Sequence, residues 1–504
     1  MMQVLAGQGA RPGWAWCGAA FGAGALAAAG QAPLGFWWLT LAGLGLLALL
    51  VARAPGARAA AAAGLWAGAG HFGLALSWIV EPFLIDAPRH GWMAPFALVL
   101  MAFGLGLFWA GAAALAALAR GGAARALAFA ATLTGAEALR GVAFTGFPWA
   151  QPGHAFIDTP VAQVAALAGP LALTLLAVTA AALPVAARLA GTAVSAAILA
   201  TAWGWGAVRL ALPDPPPPDP APVLRLVQPN AEQAAKWDPD LARRHFDTLL
   251  ALPEPPVAGL APDLVIWPET ALPYTIDRVP QAVAEIAEAA GGAPVAAGVQ
   301  RTDGGLRAWN SLAVIGPGGT VGPVYDKHHL VPFGEYIPFG DLMADWFGLR
   351  AFAAQDGAGY SAGPGPTLLD LGPQLGTALP LICYEAVFPA IPRRAGARPG
   401  WIVQVTNDAW FGTLTGPYQH LAQSRLRAVE QGLPLVRVAN TGVSAVIDAR
   451  GRMLQSLPLG QRGMIDAPLP GALPATPYAR RGGWPAALAV AFLLAAAALV
   501  QRRA

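Results

Sequence analysis

Over the first 212 residues the apolar positions follow neither the alternation of a half-buried strand nor the one-sided stripe of a surface helix; they run on almost without a break. Stretches long enough to cross a hydrocarbon core, about 20 residues each, fall at 14–31, 34–52, 60–80, 93–119, 125–144, 161–187 and 192–212, and an eighth at 484–500. A helix that is apolar all round needs an apolar surround, so the pattern predicts eight membrane spans. The first is read as retained rather than cleaved: Arg11 is a weak basic flank and a second apolar run follows at once. At 213–222 a proline-rich run stops the seventh helix and starts an extended linker.

Beyond the linker the period changes. Short runs rich in Val, Ile and Leu predict strands at Val223–Gln228, Asp263–Trp267, Pro294–Val299, Ser311–Ile315, Gly376–Cys383, Trp401–Thr406, Leu435–Val438 and Ser444–Ile447. Amphipathic stretches predict helices near 239–252, 280–290 and 416–432. The expected architecture is a polytopic α-helical membrane domain over 1–212, a linker at 213–222, an α/β domain over 223–475 and a last span at 484–500. An α/β domain of that length can bury a full core.

Charge sharpens the division. Charged residues are 12 % of the 504, against about 25 % in soluble chains, which excludes an ordinary cytosolic enzyme. Residues 1–220 carry 15 charged side chains and the remaining 284 carry 44. A mean hydropathy of +0.50 excludes disorder. The net charge of +3 comes without a basic run, so no nucleic-acid partner is expected. Arg11, Arg53, Arg58, Arg120, Arg125, Arg188, Arg502 and Arg503 fall on one side of the predicted spans, whereas Glu81, Asp86 and Asp158 face only Arg89 on the other. Basic loops stay cytoplasmic, so both termini should be cytoplasmic and the α/β domain outside.

Within the spans the ionisable groups are little more than His71, Glu137 and Arg140, fewer than a coupled transporter usually carries. Glu137 and Arg140, three apart on one helix face, are expected to form a structural ion pair. The two cysteines, Cys17 and Cys383, lie in different environments and predict no disulfide. Cys17 is read as a small packing residue.

Three short segments of the α/β domain carry chemistry: Val265 to Thr270 (VIWPET), Tyr325 to Glu335 (YDKHHLVPFGE) and Leu381 to Glu385 (LICYE). The first and third set Glu269 and Cys383 just after a hydrophobic strand, where a rigid element holds a side chain at a loop-lined cleft. The middle one supplies Lys327. Of 31 basic residues only Lys236 and Lys327 are lysine. A chain so biased to Arg is expected to keep Lys where a compact, tunable ammonium is needed, although a surface lysine left by chance is the plainer reading.

The Glu, Lys and Cys in this order and these settings closely resemble the nitrilase superfamily. With a span on either side of the domain, the chain is similar to that superfamily's membrane-bound branch, the apolipoprotein N-acyltransferase family; Gly146 to Trp149 and Gln228 to Trp237 agree with it. The resemblance implies an αββα sandwich with Glu269 as general base, Lys327 as oxyanion stabiliser and Cys383 as nucleophile. It marks Glu335, Tyr384 and Glu385 as supporting residues and Trp237 as a sensitive position. It also implies a phospholipid acyl donor, typically phosphatidylethanolamine, and the amine of diacylglyceryl-cysteine on an apolipoprotein as acceptor. The setting would be the bacterial inner membrane, with the catalytic domain periplasmic.

The residue types fit this chemistry. Ester-to-amine transfer needs a strong nucleophile, which a thiolate is. A thiol with a pKa of about 8.5 needs a base to reach that state, and Glu269 is the candidate. His328, His329 and His420 remain alternatives in a Cys–His dyad. Lys327 and the backbone N–H of Tyr384 would stabilise the tetrahedral oxygen. Glu335, eight residues on across a Val-Pro-Phe-Gly turn, either folds back to hold the ammonium or is a surface glutamate. Trp346 and Phe347, with Leu349 and Phe352, form either a lipid-contacting arm or part of the core. No metal-ligand spacing and no Gly-rich phosphate loop occurs, so no cofactor and no metal is expected. Two other readings stand: a membrane-tethered amidase or nitrilase hydrolysing C–N bonds, and a polytopic lipid carrier with an inactive domain.

Overall fold

The computed structural model describes residues 13–233, 239–252, 261–304, 307–338 and 359–503. They form two compact units, one of Met1–Pro213, Leu414–Glu430 and Ala475–Ala504, the other of Asp214–Thr413 and Gln431–Pro474.

In the first unit helices occupy all the long apolar segments: Trp14–Ala28, Trp37–Arg53, Ala57–Ala75, Ala94–Ala116, Gly122–Arg140, Pro170–Ala211 and Trp484–Arg503. Among the described residues, Ala87–Ala116, Pro170–Ala211 and Trp484–Arg502 are each long and apolar enough to cross a membrane. Ala57–Ala75 with Ser77–Leu84, bent by 67°, passes as a fourth. The 42-residue element Pro170–Ala211 is two helices, because Ala187 and Arg188 leave helical dihedrals, Arg188 with φ +49°. Ser195 Oγ donates to the Ala180 carbonyl over 2.8 Å. Those residues would lie about 22 Å apart in a straight helix, so the chain doubles back at Arg188. Helices approach closely through small residues; a Cβ on Gly64 would collide with the Trp109 carbonyl.

Glu137 and Arg140 do pair, fully buried. Trp109 Nε1 donates to Glu137 Oε1 over 2.7 Å, and Arg140 also donates to the Phe147 carbonyl. The pair thus leaves few lone pairs or protons unmatched, as a buried ion pair requires, and it fixes the loop running into Trp149. Trp149 Nε1 donates to Gln419 Oε1 (2.7 Å), whose Nε2 donates to the Ala75 carbonyl (2.9 Å). These bonds tie the helix Gly416–Gln431 to the apolar helices.

The second unit holds two six-stranded sheets. Its strands are β1 (Val223–Gln228), β2 (Leu264–Ile266), β3 (Val295–Thr302), β4 (Ala308–Ile315), β5 (Val321–Asp326), β6 (Leu369–Asp370), β7 (Thr377–Ile382), β8 (Trp401–Thr406), β9 (Leu435–Ala439), β10 (Ser444–Ile447), β11 (Met453–Leu457) and β12 (Gly463–Pro468). The orders are β12-β1-β2-β3-β4-β5 and β11-β10-β9-β8-β7-β6. Each centres on three parallel strands, β1-β2-β3 and β9-β8-β7, flanked by antiparallel ones.

On the first sheet Val265, Val227 and Val295 pack with Phe246, Leu249 and Ile286 of the helices Pro239–Ala251 and Pro280–Ala289. Strand side chains alternate, so Leu264 and Ile266, equally buried, point to the other face. That face meets the second sheet: Gln228 Oε1 accepts from Ser444 Oγ (2.6 Å) and Ser444 N (3.1 Å). Strands expected from the sequence are all present, with bounds that differ by a few residues; at the site the predicted strands through Trp267 and Cys383 end at Ile266 and Ile382. The sequence pattern did not show β5, β6, β11 and β12.

Candidate active site

Glu269 follows β2, Lys327 follows β5, and Cys383 follows β7. The ends of parallel strands such as β2 and β7 leave backbone free to shape a crevice, and the chain turns sharply after both of them and again in the loop beyond β5. Thr270 has φ +45°, Phe333 +63° and Cys383 +51°, left-handed values that cost a side-chain-bearing residue of order 1–3 kcal/mol and persist where the surroundings over-determine them. Space behind Glu269 comes from Gly298 in β3, where a Cβ would strike the Pro268 carbonyl and the Glu269 backbone.

Lys327, only 1 % exposed, is the centre of the site. Its Nζ donates to Glu335 Oε1 over 2.8 Å and lies 3.6 Å from Glu269 Oε1. Burial by itself pulls the ammonium's pKa down. The charges of Glu335 and Glu269 outweigh that and leave it above the ordinary lysine value, so Lys327 is a permanent cation. Glu335 also accepts from the Val331 N–H through Oε2 (2.9 Å), which closes its own turn. Glu269 is gripped from two directions: Asn310 Nδ2 donates to Oε1 (2.7 Å) and the Asn407 N–H to Oε2 (2.8 Å).

Cys383 is buried. Burial, then Glu269, pushes its thiol pKa up, while Lys327 and a hydrogen bond with Thr406 pull it down. The net is upward, so the resting sulfur carries its proton. Among the described residues no group of three or more His, Cys, Asp or Glu is arranged to hold a metal ion.

The N-terminal part of the chain, residues 23–183, matches the family profile described as the apolipoprotein N-acyltransferase N-terminal domain, and residues 217–477 match that of carbon-nitrogen hydrolases. An apolipoprotein N-acyltransferase of Bradyrhizobium diazoefficiens is 42 % identical over 97 % of this chain and 96 % of its own length. One of Rhodopseudomonas palustris is 38 % identical over 95 % of each. The chain belongs to the apolipoprotein N-acyltransferase family. A variant of the Nesterenkonia AN1 amidase from the nitrilase superfamily superposes over 53 % of this chain and 95 % of its own, with 18 % identity and a TM-score of 0.36.

In this family member the other residues singled out from the sequence fall in separate places. Glu385, wholly buried, accepts from Tyr325 Oη (2.9 Å), the His328 N–H (3.0 Å), the His329 N–H (3.2 Å) and, through Oε2, the Ile382 N–H (2.8 Å). His328 Nδ1 lies 2.6 Å from the same carboxylate. Glu385 therefore fastens the Cys383 turn to the loop that follows Lys327. The Tyr384 ring sits against Phe388 and His329. His420 stacks on Trp149 within the helical unit. Trp237, Trp346 and Phe347, with Leu349 and Phe352, lie outside the described residues.

Sequence reading missed Asn310, Asn407, Tyr325 and Tyr360. Asn310 Nδ2 reaches both Glu269 and Glu335 (2.7 and 3.1 Å), holding like charges on either side of the ammonium. The Tyr360 hydroxyl accepts from Gln300 Nε2, and its N–H donates to the Glu335 carbonyl. An Asn in mid-strand was the one available signal, since a polar residue amid Val, Leu and Ala asks for a buried partner.

Glu385 gives a pH test. Burial alone would raise its pKa; the His328 bond and charge, the Ile382 N–H and Lys327 reverse that, so it lies below the ordinary carboxyl value. A depressed folded pKa stabilises the fold above the unfolded value, about 4.3, and that stability is lost as pH falls through the folded pKa. The melting-temperature lead of the wild type over Glu385→Gln should shrink as pH falls below about 4.3. A lead undiminished at pH 3 contradicts the assignment.

Proposed function

We propose that this N-acyltransferase, which uses a lipid acyl donor and a lipoprotein acceptor, works through a thioester on Cys383. The observation that carries the reading is a fixed, buried ammonium, Lys327, held 2.8 Å from Glu335 and 3.6 Å from Glu269. Glu269 takes the Cys383 proton as sulfur attacks the donor ester carbonyl. The oxyanion forms beside Lys327 and the backbone N–H of Tyr384, then collapses as the lysophospholipid oxygen leaves with the proton from Glu269. In the second half the acceptor amine attacks the thioester, Glu269 takes the amine's proton, and sulfur departs to be reprotonated. Kinetics of this form are ping-pong. Glu335 holds Lys327 and Glu385 holds the turn; Trp237, Trp346 and Phe347 contact substrate.

Two lipid substrates explain the apolar helices, since each buried CH₂ holds a lipid in the bilayer by ~0.8 kcal/mol and the active site must come to them. The reading has eight spans, the doubling-back at Arg188 joining the sixth and seventh on the cytoplasmic, basic side. Residues 1–212 form the membrane domain, 213–222 the linker, 223–475 the periplasmic catalytic domain and 484–500 the last span, in the bacterial inner membrane. Phosphatidylethanolamine is the donor.

The test is to incubate detergent-solubilised protein with acyl-labelled phosphatidylethanolamine and then add a diacylated lipopeptide with a free N-terminal amine. An alkali-labile label on Cys383 that moves to the peptide is expected. Release as free fatty acid without transfer would mean a hydrolase, and no adduct at all a carrier; either overturns the reading.

A further inference from the structure

β7 and β8 run parallel, with Ile382 opposite Val405 as the last pair, so the chain leaves β7 at Cys383 next to Thr406, the last residue of β8. Thr406 is fully buried, and its hydroxyl has one hydrogen with two acceptors in reach. One is Asp408 Oδ1, 3.0 Å away; the other is the Cys383 sulfur, with which it shares a hydrogen bond. Asp408 does not depend on that hydroxyl, because Arg437, itself fully buried, donates to its other oxygen. Arg437 is held in turn by the Val443 carbonyl (3.2 Å). Gly442 makes room for Asp408 there, since a Cβ would overlap its carboxylate.

Building on Cys383 as the nucleophile, we propose that Thr406 is a further catalytic residue: its hydroxyl donates to Asp408 while the sulfur is a thiol or thioester, and turns to donate to the sulfur when it is a thiolate. The thiolate arises twice in each cycle, once on proton loss to Glu269 and once when the acceptor amine expels sulfur. The charged groups facing it are Glu269, Lys327 and Asp408. Glu269 holds a proton at both moments, so Asp408 is the anion left among the three, and Lys327 is already engaged by Glu335. A buried anion in such company needs a donor that is available on demand. A hydroxyl that rotates about one bond supplies it without moving the backbone, and no proton is transferred.

The experiment uses the full chain in detergent with Cys17→Ala, so that Cys383 is the sole thiol. Iodoacetamide alkylation between pH 7 and 9 reads the thiolate fraction, and label uptake from phosphatidylethanolamine reads acylation. A hydrogen bond to a charged group is worth about one pKa unit or more. Thr406→Val should therefore slow both reactions by about tenfold across the range, and Thr406→Ser should restore both. Unchanged alkylation in Thr406→Val, or Thr406→Ser as slow as Val, overturns the role of Thr406 while leaving Cys383 as nucleophile. Absence of label on Cys383 in the Thr406 parent removes both readings.

Discussion

Cys383→Ala should abolish both halves of the reaction, with no labelled adduct and no acylated lipopeptide. Removing a covalent nucleophile from a site of this type costs about 10⁴-fold or more, leaving only what binding and the oxyanion donors supply. The substitution is nearly isosteric and keeps a Cβ at the strained φ of +51°, so the turn and its Glu385 bonds are retained and the melting temperature should change little. Cys383→Ser should behave almost as badly. A hydroxyl is a far weaker acid than a thiol, and a site whose burial and neighbouring Glu269 already push the thiol pKa up disfavours an alkoxide more strongly still. Transfer surviving at more than a few per cent in Cys383→Ala would sink the thioester mechanism.

Lys327→Met should fail in a different way, losing activity and stability together. Acylation is expected to drop by about 10²–10³-fold, the usual cost of an oxyanion donor. Glu269 and Glu335 would then face each other across an apolar side chain, and breaking a buried pair of this kind costs about 3–5 kcal/mol, readable as a lower urea midpoint. A raised folded pKa means the ammonium's stabilisation is fully present below the unfolded lysine pKa, about 10.4, and is lost only as pH rises through the folded value. The deficit should thus be flat from pH 6 to 9. Adding Glu335→Gln should recover part of the stability, because one of the stranded charges is gone, but none of the rate. A single variant as stable as wild type, or a double variant with restored turnover, contradicts the placing of Lys327.

The elements that were legible are those whose own residues decide them. The parallel strands β1, β2, β3, β7, β8 and β9 are buried on both faces and so read as continuous hydrophobic runs. The exposed edge strand β11 has no such need, and β5 carries Gly322 and Pro323, residues that argue against a strand. Glu269 and Cys383 were legible because each sits at the end of such a run, and Lys327 because lysine is so rare in this chain.

Local pattern alone thus determined the division into an apolar helical part and an α/β part and the positions of the central strands along the chain, and it singled out Glu269, Lys327 and Cys383 as candidates. Tertiary structure decided who partners whom. Glu269 meets Asn407 across 138 residues, Tyr325 meets Glu385 across 60, and Thr406 comes beside Cys383 only through the parallel register of β7 and β8. Hydrophobic burial is non-directional and leaves its mark on every stretch it buries. A hydrogen bond between distant residues is set by geometry that exists only once the sheets have formed, and leaves no periodic trace in the chain.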